Sequence, residues 1–286
     1  MKINEILASR DEGISFEFFP PKSEKTNRAL SRTIEILKGY HPLYMSMTYG
    51  AGGVAQDKTK EAVHMLTQYP DLVVMPHLTC IGAKTGELKM LLDHYKDQGI
   101  ENIMALRGDP PQDETGPYIS DTHDLCYAKD LVALLKREYN DFCVGVAVYP
   151  EGHIETNSLE EDLKYTKQKI DAGADFAVTQ MFFDNTYYFS LLDRFEEAGI
   201  SIEVLPGILP LTDIVKVKQF AAICRATVPR HIEETMNSFK DPGDRERAGI
   251  DFTITQCREL KKYGVKKFHF FTLNKPEIIT SILDAI

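Results

Sequence analysis

The sequence has no apolar run near the roughly 18 residues that a membrane-spanning helix needs, so no membrane anchor is expected. Its start, MKINEILASRDEG, carries acids and no apolar core, so it does not read as a secretory signal. Cysteine is scarce: Cys80, Cys126, Cys143, Cys224 and Cys257 form no C-x-x-C pair and their number is odd. That argues against a disulfide framework or a thiolate zinc site and fits a reducing cytoplasm. The H-E-x-x-H, G-x-G-x-x-G, P-loop and G-x-S-x-G patterns are all missing, and no metal site is expected. Basic residues are in deficit, 33 Lys and Arg against 43 Asp and Glu for a net charge of −10. Long-range attraction to nucleic acid or to an anionic membrane is therefore not expected. Low-complexity segments and linkers are absent as well.

What is present is an alternation. Eight short β-rich runs recur: ISFEFF (14–19), LYMSMT (43–48), VVMPHLT (73–79), NIMALR (102–107), CVGVAVY (143–149), DFAVTQMF (175–182), IEVLPGI (202–208) and KKFHFFT (266–272). Between them lie stretches with apolar residues at helical spacing, among them TNRALSRTIEILKG, TKEAVHMLTQY, KTGELKMLLDHYKDQG and LEEDLKYTKQKIDAG. Strand–helix alternation implies right-handed parallel crossovers. Eight of them in 286 residues favour an α/β fold of the closed (β/α)8 TIM-barrel type over an open sheet. Residues 209–265, between the seventh and eighth runs, are long enough for extra helices. The whole chain, 1–286, is expected to form a single barrel domain.

In such a barrel the chemistry sits at the C-terminal strand ends, and those ends are rich in polar, proline and glycine residues. In the first run, period 2 separates Ile14, Phe16 and Phe18 from Ser15, Glu17 and Phe19. The first set suits the helix-facing outside and the second the interior near the mouth. Desolvation would raise the Glu17 carboxyl toward neutrality and make it a general acid; a structural Glu paired with Arg or Lys is equally open. ALRGDPP (105–111) reads either as plain turn chemistry or as Asp109 aimed at a ligand, with Gly108 admitting close backbone approach. YGAGG (49–53) could cradle a phosphate or a flat ring, or be a flexible connection. His77, sharing a face with Val73 and Met75, reads alone as a satisfied core residue. Asp162 and Lys169, two helical turns apart, form either a solvated face or a phosphate contact.

Taken together, SFEFFPPKS (15–23), TYGAGG (48–53), PHLTC (76–80), ALRGD (105–109), YPEGH (149–153), DAGADFAVTQMFFD (171–184), PGILP (206–210) and FHFFTLNK (268–275) resemble the methylenetetrahydrofolate reductase family, of the bacterial single-domain type. The resemblance runs almost end to end and in family order. It implies a barrel holding one FAD and a ping-pong relay: NADH or NADPH reduces the flavin, then 5,10-methylenetetrahydrofolate is reduced to 5-methyltetrahydrofolate, a methyl source for methionine synthesis. It implies Glu17 as the general acid that helps protonate the folate N10. Asp109 would lie between the flavin and the pterin, and Gln180 would bind folate and the nicotinamide nucleotide.

For FAD the resemblance transfers Thr48, Tyr49, Ala51, His77, Leu106, Arg107, Gly108, Asp109, Tyr127, Ala128, Tyr149, His153, Asp162 and Lys169. For the substrates it transfers Phe220, together with Lys216 and Lys275, which stand where a glutamine and an arginine are usual. Tyr165 and Gln168 replace an asparagine and an arginine on the FAD helix. The resemblance further implies that 1–286 is one catalytic domain without a C-terminal regulatory domain, and a homo-oligomer in the cytoplasm. Two other functions stay open: a folate-binding flavoprotein subunit that needs a separate electron-transfer partner, and a pterin-handling barrel transferase without redox chemistry.

Overall fold

The computed structural model describes residues 1–49, 53–109 and 125–286. Among these, nine strands alternate with eleven helices. The strands are β1 (Gly13–Phe18), β2 (Met45–Met47), β3 (Val74–Thr79), β4 (Asn102–Leu106), β5 (Cys143–Val148), β6 (Phe176–Thr179), β7 (Glu203–Leu205), β8 (Gly207–Ile208) and β9 (Lys267–Phe271). The helices are α1 (Ile3–Ser9), α2 (Glu24–Lys38), α3 (Gly53–Thr67), α4 (Thr85–Asp97), α5 (Ala128–Glu138), α6 (Leu159–Asp171), α7 (Asn185–Glu197), α8 (Ile214–Cys224), α9 (Arg230–Ser238), α10 (Pro242–Lys262) and α11 (Pro276–Leu283).

Every strand pairing is parallel, in the order β7-β6-β5-β4-β3-β2-β1-β9-β8. The two ends of that order are one kinked strand. β7 pairs with β6 and β8 pairs with β9, and only Pro206 separates them. The sheet therefore closes into the expected (β/α)8 barrel. The seventh run is divided because proline has no N–H to give to a ladder, although the Pro206 carbonyl still accepts from His269 N at 3.0 Å.

Alternation along each strand sorts the side chains into two layers. Phe16, Phe18, Phe268 and Phe270 point outward and pack with Leu30, Ile34 and Leu37 of α2 and with the buried faces of the other helices. Those three α2 positions are spaced at i, i+4 and i+7, one stripe of an amphipathic helix. Each such fully buried side chain stabilises the fold by about 1.5–3 kcal/mol. The inward layer at the N-terminal end holds Met75, Met104, Cys143, Phe176 and Leu205.

The bottom of the barrel is plugged by α1, an element the sequence reading did not anticipate. Ile3, Ile6 and Leu7 insert into the inward layer. Asn102 at the base of β4 holds the helix in place: its Oδ1 accepts from Ile3 N at 2.8 Å and its Nδ2 donates to Met1 O at 3.1 Å. The extra helices expected in 209–265 are α8, α9 and α10. They build a satellite core around Leu211, Ile214, Val217, Ile232 and Met236.

Candidate functional site at the C-terminal mouth of the barrel

Glu17 lies one residue from the end of β1, with its side chain in the barrel interior and only 8% exposed. Parallel pairing of β1 with β9 sets Ser15 opposite His269 and Glu17 opposite Phe271. The Glu17 Oε2 atom is 3.3 Å from His269 Nε2, within a hydrogen bond. It is also 3.3 Å from His77 Nε2, delivered by β3, but there the alignment is not that of a hydrogen bond. On its other side, His269 Nδ1 is 2.8 Å from Ser15 Oγ and 3.2 Å from the Tyr44 hydroxyl. The Tyr44 ring stacks on the imidazole with centroids 5.6 Å apart. Among the described residues the charge partners of Glu17 are thus two histidines, not an Arg or Lys.

The backbone beneath that carboxylate is clamped. The Glu17 carbonyl accepts from Thr272 N at 3.1 Å and from Thr272 Oγ1 at 2.6 Å. Leu273 and Asn274 follow with φ of 51° and 55°, a left-handed pair. Asparagine tolerates this conformation, whereas a leucine there is strained by about 1–3 kcal/mol. The strain is held by reciprocal bonds between Asn274 and the Phe19 backbone, Oδ1 accepting at 3.0 Å and Nδ2 donating at 2.9 Å. This is the physical content of the F-T-L-N stretch. Phe19 itself, expected inside, lies past the end of β1 and is exposed.

Burial pushes the Glu17 carboxyl up, as expected from sequence. The charge of His77 and the hydrogen bond and charge of His269 together outweigh it, so the carboxyl lies below the ordinary glutamate range. The expectation of a carboxyl raised toward neutrality is corrected accordingly. Sequence reading showed the dry strand but not that two imidazoles from distant strands converge on one oxygen. A signal was nevertheless available. Period 2 puts Lys267, His269 and Phe271 on one face of the last run, and barrel closure sets that face beside Ser15 and Glu17.

A cavity of about 390 Å³ opens at the same end of β4 and β5 and is covered by α6. Leu106 and Arg107 come from the end of β4, Tyr127 and Ala128 from the start of α5, Tyr149 and His153 from beyond β5, and Asp162 and Lys169 from α6. The reading of Asp162 and Lys169 as one face holds, and that face turns inward. Lys169 Nζ donates to Ala147 O at 2.6 Å and sits 5.5 Å from the Tyr149 ring centre. Burial lowers the lysine to about 8, only partly offset by Asp162. Burial likewise raises Asp162, whose Oδ1 accepts from His153 N at 2.9 Å. Tyr149 and His153 meet edge to face at 4.7 Å.

Arg107 pairs with Glu155 at 2.5 Å, while its Nε is buried without a partner. Gln168 Oε1, which the resemblance placed as a departure, is another buried unpartnered atom in the lining. Gly108 has φ of +84°, and a Cβ there would come within 2.8 Å of Thr79 Cβ, so the turn after β4 admits only glycine at low cost.

The remaining residues spread around the mouth. Thr48 follows β2 and its N donates to Phe18 O at 2.9 Å. Tyr49 packs onto the outer core, and burial pushes its hydroxyl up to about 12. Asp109 is exposed just past β4, and Gln180 follows β6 directly, its N donating to Val148 O at 2.8 Å. Phe220 and Lys216 are exposed on α8, where Lys216 pairs with Asp213 at 3.4 Å, and Lys275 is exposed at the start of α11. None of these three joins the buried Glu17 cluster. Ala51 lies outside the described residues, as do Gly50 and Gly52 of the glycine-rich loop and the prolines after Asp109.

Comparison with known proteins bears on this arrangement. The family model described as Methylenetetrahydrofolate reductase matches residues 2–286. The 5,10-methylenetetrahydrofolate reductases of Pectobacterium carotovorum subsp. carotovorum and Escherichia coli (strain K12) are each 38% identical over 274 residues, covering 96% of this chain and 89% and 90% of those proteins. Methylenetetrahydrofolate reductase 1 of Schizosaccharomyces pombe is 34% identical over 276 residues but is covered over only 45% of its length. Among solved structures, a Clostridium thermocellum protein that binds two copies of 5-methyl-5,6,7,8-tetrahydrofolic acid superposes with a TM-score of 0.68 at 15% identity, covering 100% of this chain and 98% of that one, a likeness of fold. This chain belongs to the methylenetetrahydrofolate reductase family.

Proposed function

We propose that this protein reduces 5,10-methylenetetrahydrofolate to 5-methyltetrahydrofolate, with NADH or NADPH as electron donor and FAD as the resident hydride carrier. The observation that carries this reading is a buried carboxylate, Glu17, at the same strand-end face as a cavity lined by the cationic side chains of Arg107, Lys129 and Lys169 and by aromatic rings.

The cavity fits FAD by its donor set. Arg107 Nε and Gln168 Oε1 are buried in its lining with no partner, and each such atom costs about 1–3 kcal/mol until something polar meets it. Arg107 and Lys169 supply positive charge for a diphosphate. Tyr149, Tyr127 and His153 offer ring faces, and Thr48, His77, Leu106, Gly108, Ala128 and Asp162 complete the shell. Bound there, FAD supplies hydride chemistry that no amino-acid side chain can.

The protein's own residues do the rest. Glu17, whose carboxyl lies below the ordinary glutamate range in the free site, takes up a proton when folate covers the mouth and delivers it to N10 as the bond between N10 and the methylene carbon breaks, leaving an iminium at N5 that accepts hydride. The carboxylate that remains favours the cation electrostatically. Asp109 accepts hydrogen bonds from the amino edge of the pterin. Gln180 and Phe220 serve nucleotide and folate in turn at one mouth, and Lys216 and Lys275 meet the acidic tail of folate.

The lysine gives this reading a pH signature. An anionic ligand favours charged Lys169, so FAD binds best below the lysine's value of about 8. As pH rises above that value, affinity is expected to fall by up to about tenfold per unit, because the proton must be taken up on binding. Equilibrium dialysis of flavin-stripped protein measures this, and Lys169→Met should flatten the slope. An unchanged slope in the variant would remove Lys169 from the diphosphate site.

The function itself is tested by two anaerobic half-reactions. The purified protein is expected to be yellow or to take up FAD, to bleach with NADH or NADPH, and to regain colour on adding 5,10-methylenetetrahydrofolate. Failure to hold FAD at all would overturn the proposal. A bound flavin that neither nucleotide bleaches would instead point to a subunit needing an electron-transfer partner.

A further inference from the structure

α8 ends in a way that the helix itself does not require. Arg225, the residue after Cys224, closes it with φ of 56° and ψ of 31°, its N–H donating to Ala221 O. Glycine or asparagine takes that left-handed conformation at less cost than arginine. What arginine adds is a side chain, and this one leaves the helix. Its Nη1 donates to His153 O at 3.0 Å and to Thr156 O at 2.6 Å, both in the loop between β5 and α6. A second tie runs beside it, Thr227 N donating to Glu151 Oε1 at 2.9 Å.

The two segments joined in this way face different parts of the mouth. Residues 153–156 form a turn, closed by Thr156 N and Thr156 Oγ1 donating to His153 O at 3.0 and 2.8 Å. The turn lines the cavity with His153, Glu155 and Thr156, and Glu155 is the partner of Arg107. α8 instead presents Phe220 and Lys216 to solvent. Cys224, its last residue, lies within electrostatic reach of both the Tyr149 hydroxyl and Asp109, so this end of the helix abuts the mouth. The start of the loop is anchored independently, Pro150 O accepting from Arg194 Nη2 on α7 at 3.0 Å. Loss of Arg225 therefore frees the turn more than it frees Tyr149.

We propose that Arg225 is a positioning residue that joins the turn 153–156 to α8, so that a substrate settling against Phe220 and Lys216 also fixes one wall of the flavin cavity. The proposal rests on the assignment of those two residues to substrate and of the cavity to FAD. Both bonds come from one charged nitrogen, and charge-assisted hydrogen bonds are about twice as strong as neutral ones. The joint works in both directions, because coupling between two binding sites is reciprocal.

Amide hydrogen exchange read by mass spectrometry measures the joint directly. The flavin-bound protein is first reduced anaerobically, so that 5-methyltetrahydrofolate binds without turnover. In the parent, saturating 5-methyltetrahydrofolate is expected to slow exchange in α8 and in 153–156 together. In Arg225→Asn, α8 should still slow and the turn should not. Asparagine keeps the left-handed helix end and lacks the guanidinium, so the flavin-free variant should melt within about 2 °C of the parent. In steady state, KM for both substrates should rise about tenfold, the effect of losing one hydrogen bond from a charged group. The rates at saturation should stay within about twofold, since Arg225 touches no reacting atom. A turn that stays unchanged in the parent while α8 slows would overturn the proposal, as would a turn that slows equally in Arg225→Asn. A lowered Tm with both KM values unmoved would reduce Arg225 to a helix cap and likewise overturn it. If FAD is held but α8 is indifferent to 5-methyltetrahydrofolate, the assignment of Phe220 and Lys216 fails and the joint with it.

Discussion

Glu17→Gln is expected to lower the folate half-reaction by about 10²–10⁴-fold, the range a positioned general acid contributes, while flavin reduction by nucleotide stays within a few-fold of the parent. The amide is isosteric and can still hydrogen-bond to His269, so the β1–β9 seam and the Thr272 clamp on the Glu17 carbonyl survive. What disappears is the O–H that N10 needs as its bond to carbon breaks. Anaerobic stopped-flow separates the two half-reactions directly. Parallel losses in both would show that Glu17 supports the flavin site or the fold rather than proton delivery.

The second large effect concerns stability. Gly249 on α10 faces the chain entering the mouth after β8, and a Cβ built there would stand 1.7 Å from Leu211 O and 2.7 Å from Leu211 C. The same crossing is tied by Thr253, whose Oγ1 accepts from Leu211 N at 3.1 Å and donates to Gly249 O at 3.0 Å. Alanine would ordinarily help a helix by about 1 kcal/mol over glycine. Here the obstacle is backbone, which cannot swing aside as a side chain does, and overpacking of this kind costs about 1–3 kcal/mol or more. Gly249→Ala is expected to be destabilising by roughly 2 kcal/mol or more net, a fall in Tm of at least about 4–8 °C for a chain of this size. The satellite core of Leu211, Ile214 and Met236 should loosen with it. A Tm equal to or above the parent would mean that the α10 crossing is not close-packed.

Much of the architecture was legible because it rests on local pattern. All eight β-rich runs contain strands, since alternation and β-branched content report a pleated surface directly. α2, α4 and α6 carry their own apolar stripes, and α2 and α6 their own caps, with Ser23 and Ser158 accepting from Thr26 N and Glu161 N. α1 was not legible. Its seven residues are too few to show a period, and it is helical because Ile3, Ile6 and Leu7 find the open base of the barrel. The break at Pro206 was visible as a residue but not as a consequence, because which ladder a missing N–H interrupts depends on the partner strand.

The site divides along the same line. Strand order and periodicity alone put Glu17 inside and Arg107 and Tyr149 at strand ends of one mouth, because these follow from the backbone period and the direction of the strands, whereas Lys169 was assigned to that mouth only by the family resemblance. That Glu17 would be drawn below its ordinary pKa rather than raised was settled by tertiary structure. Desolvation is a property of the strand's own neighbours, whereas the opposing charge comes from His77 and His269, on strands brought alongside only when the sheet closes. Likewise, sequence showed Asp162 and Lys169 on one helical face, and only packing of α6 over β5 decided that the face is buried, with its lysine pushed down to about 8. Local sequence determined which groups the mouth contains; closure of the barrel decided their protonation, because electrostatic energy depends on distances across strands that no single stretch of chain encodes.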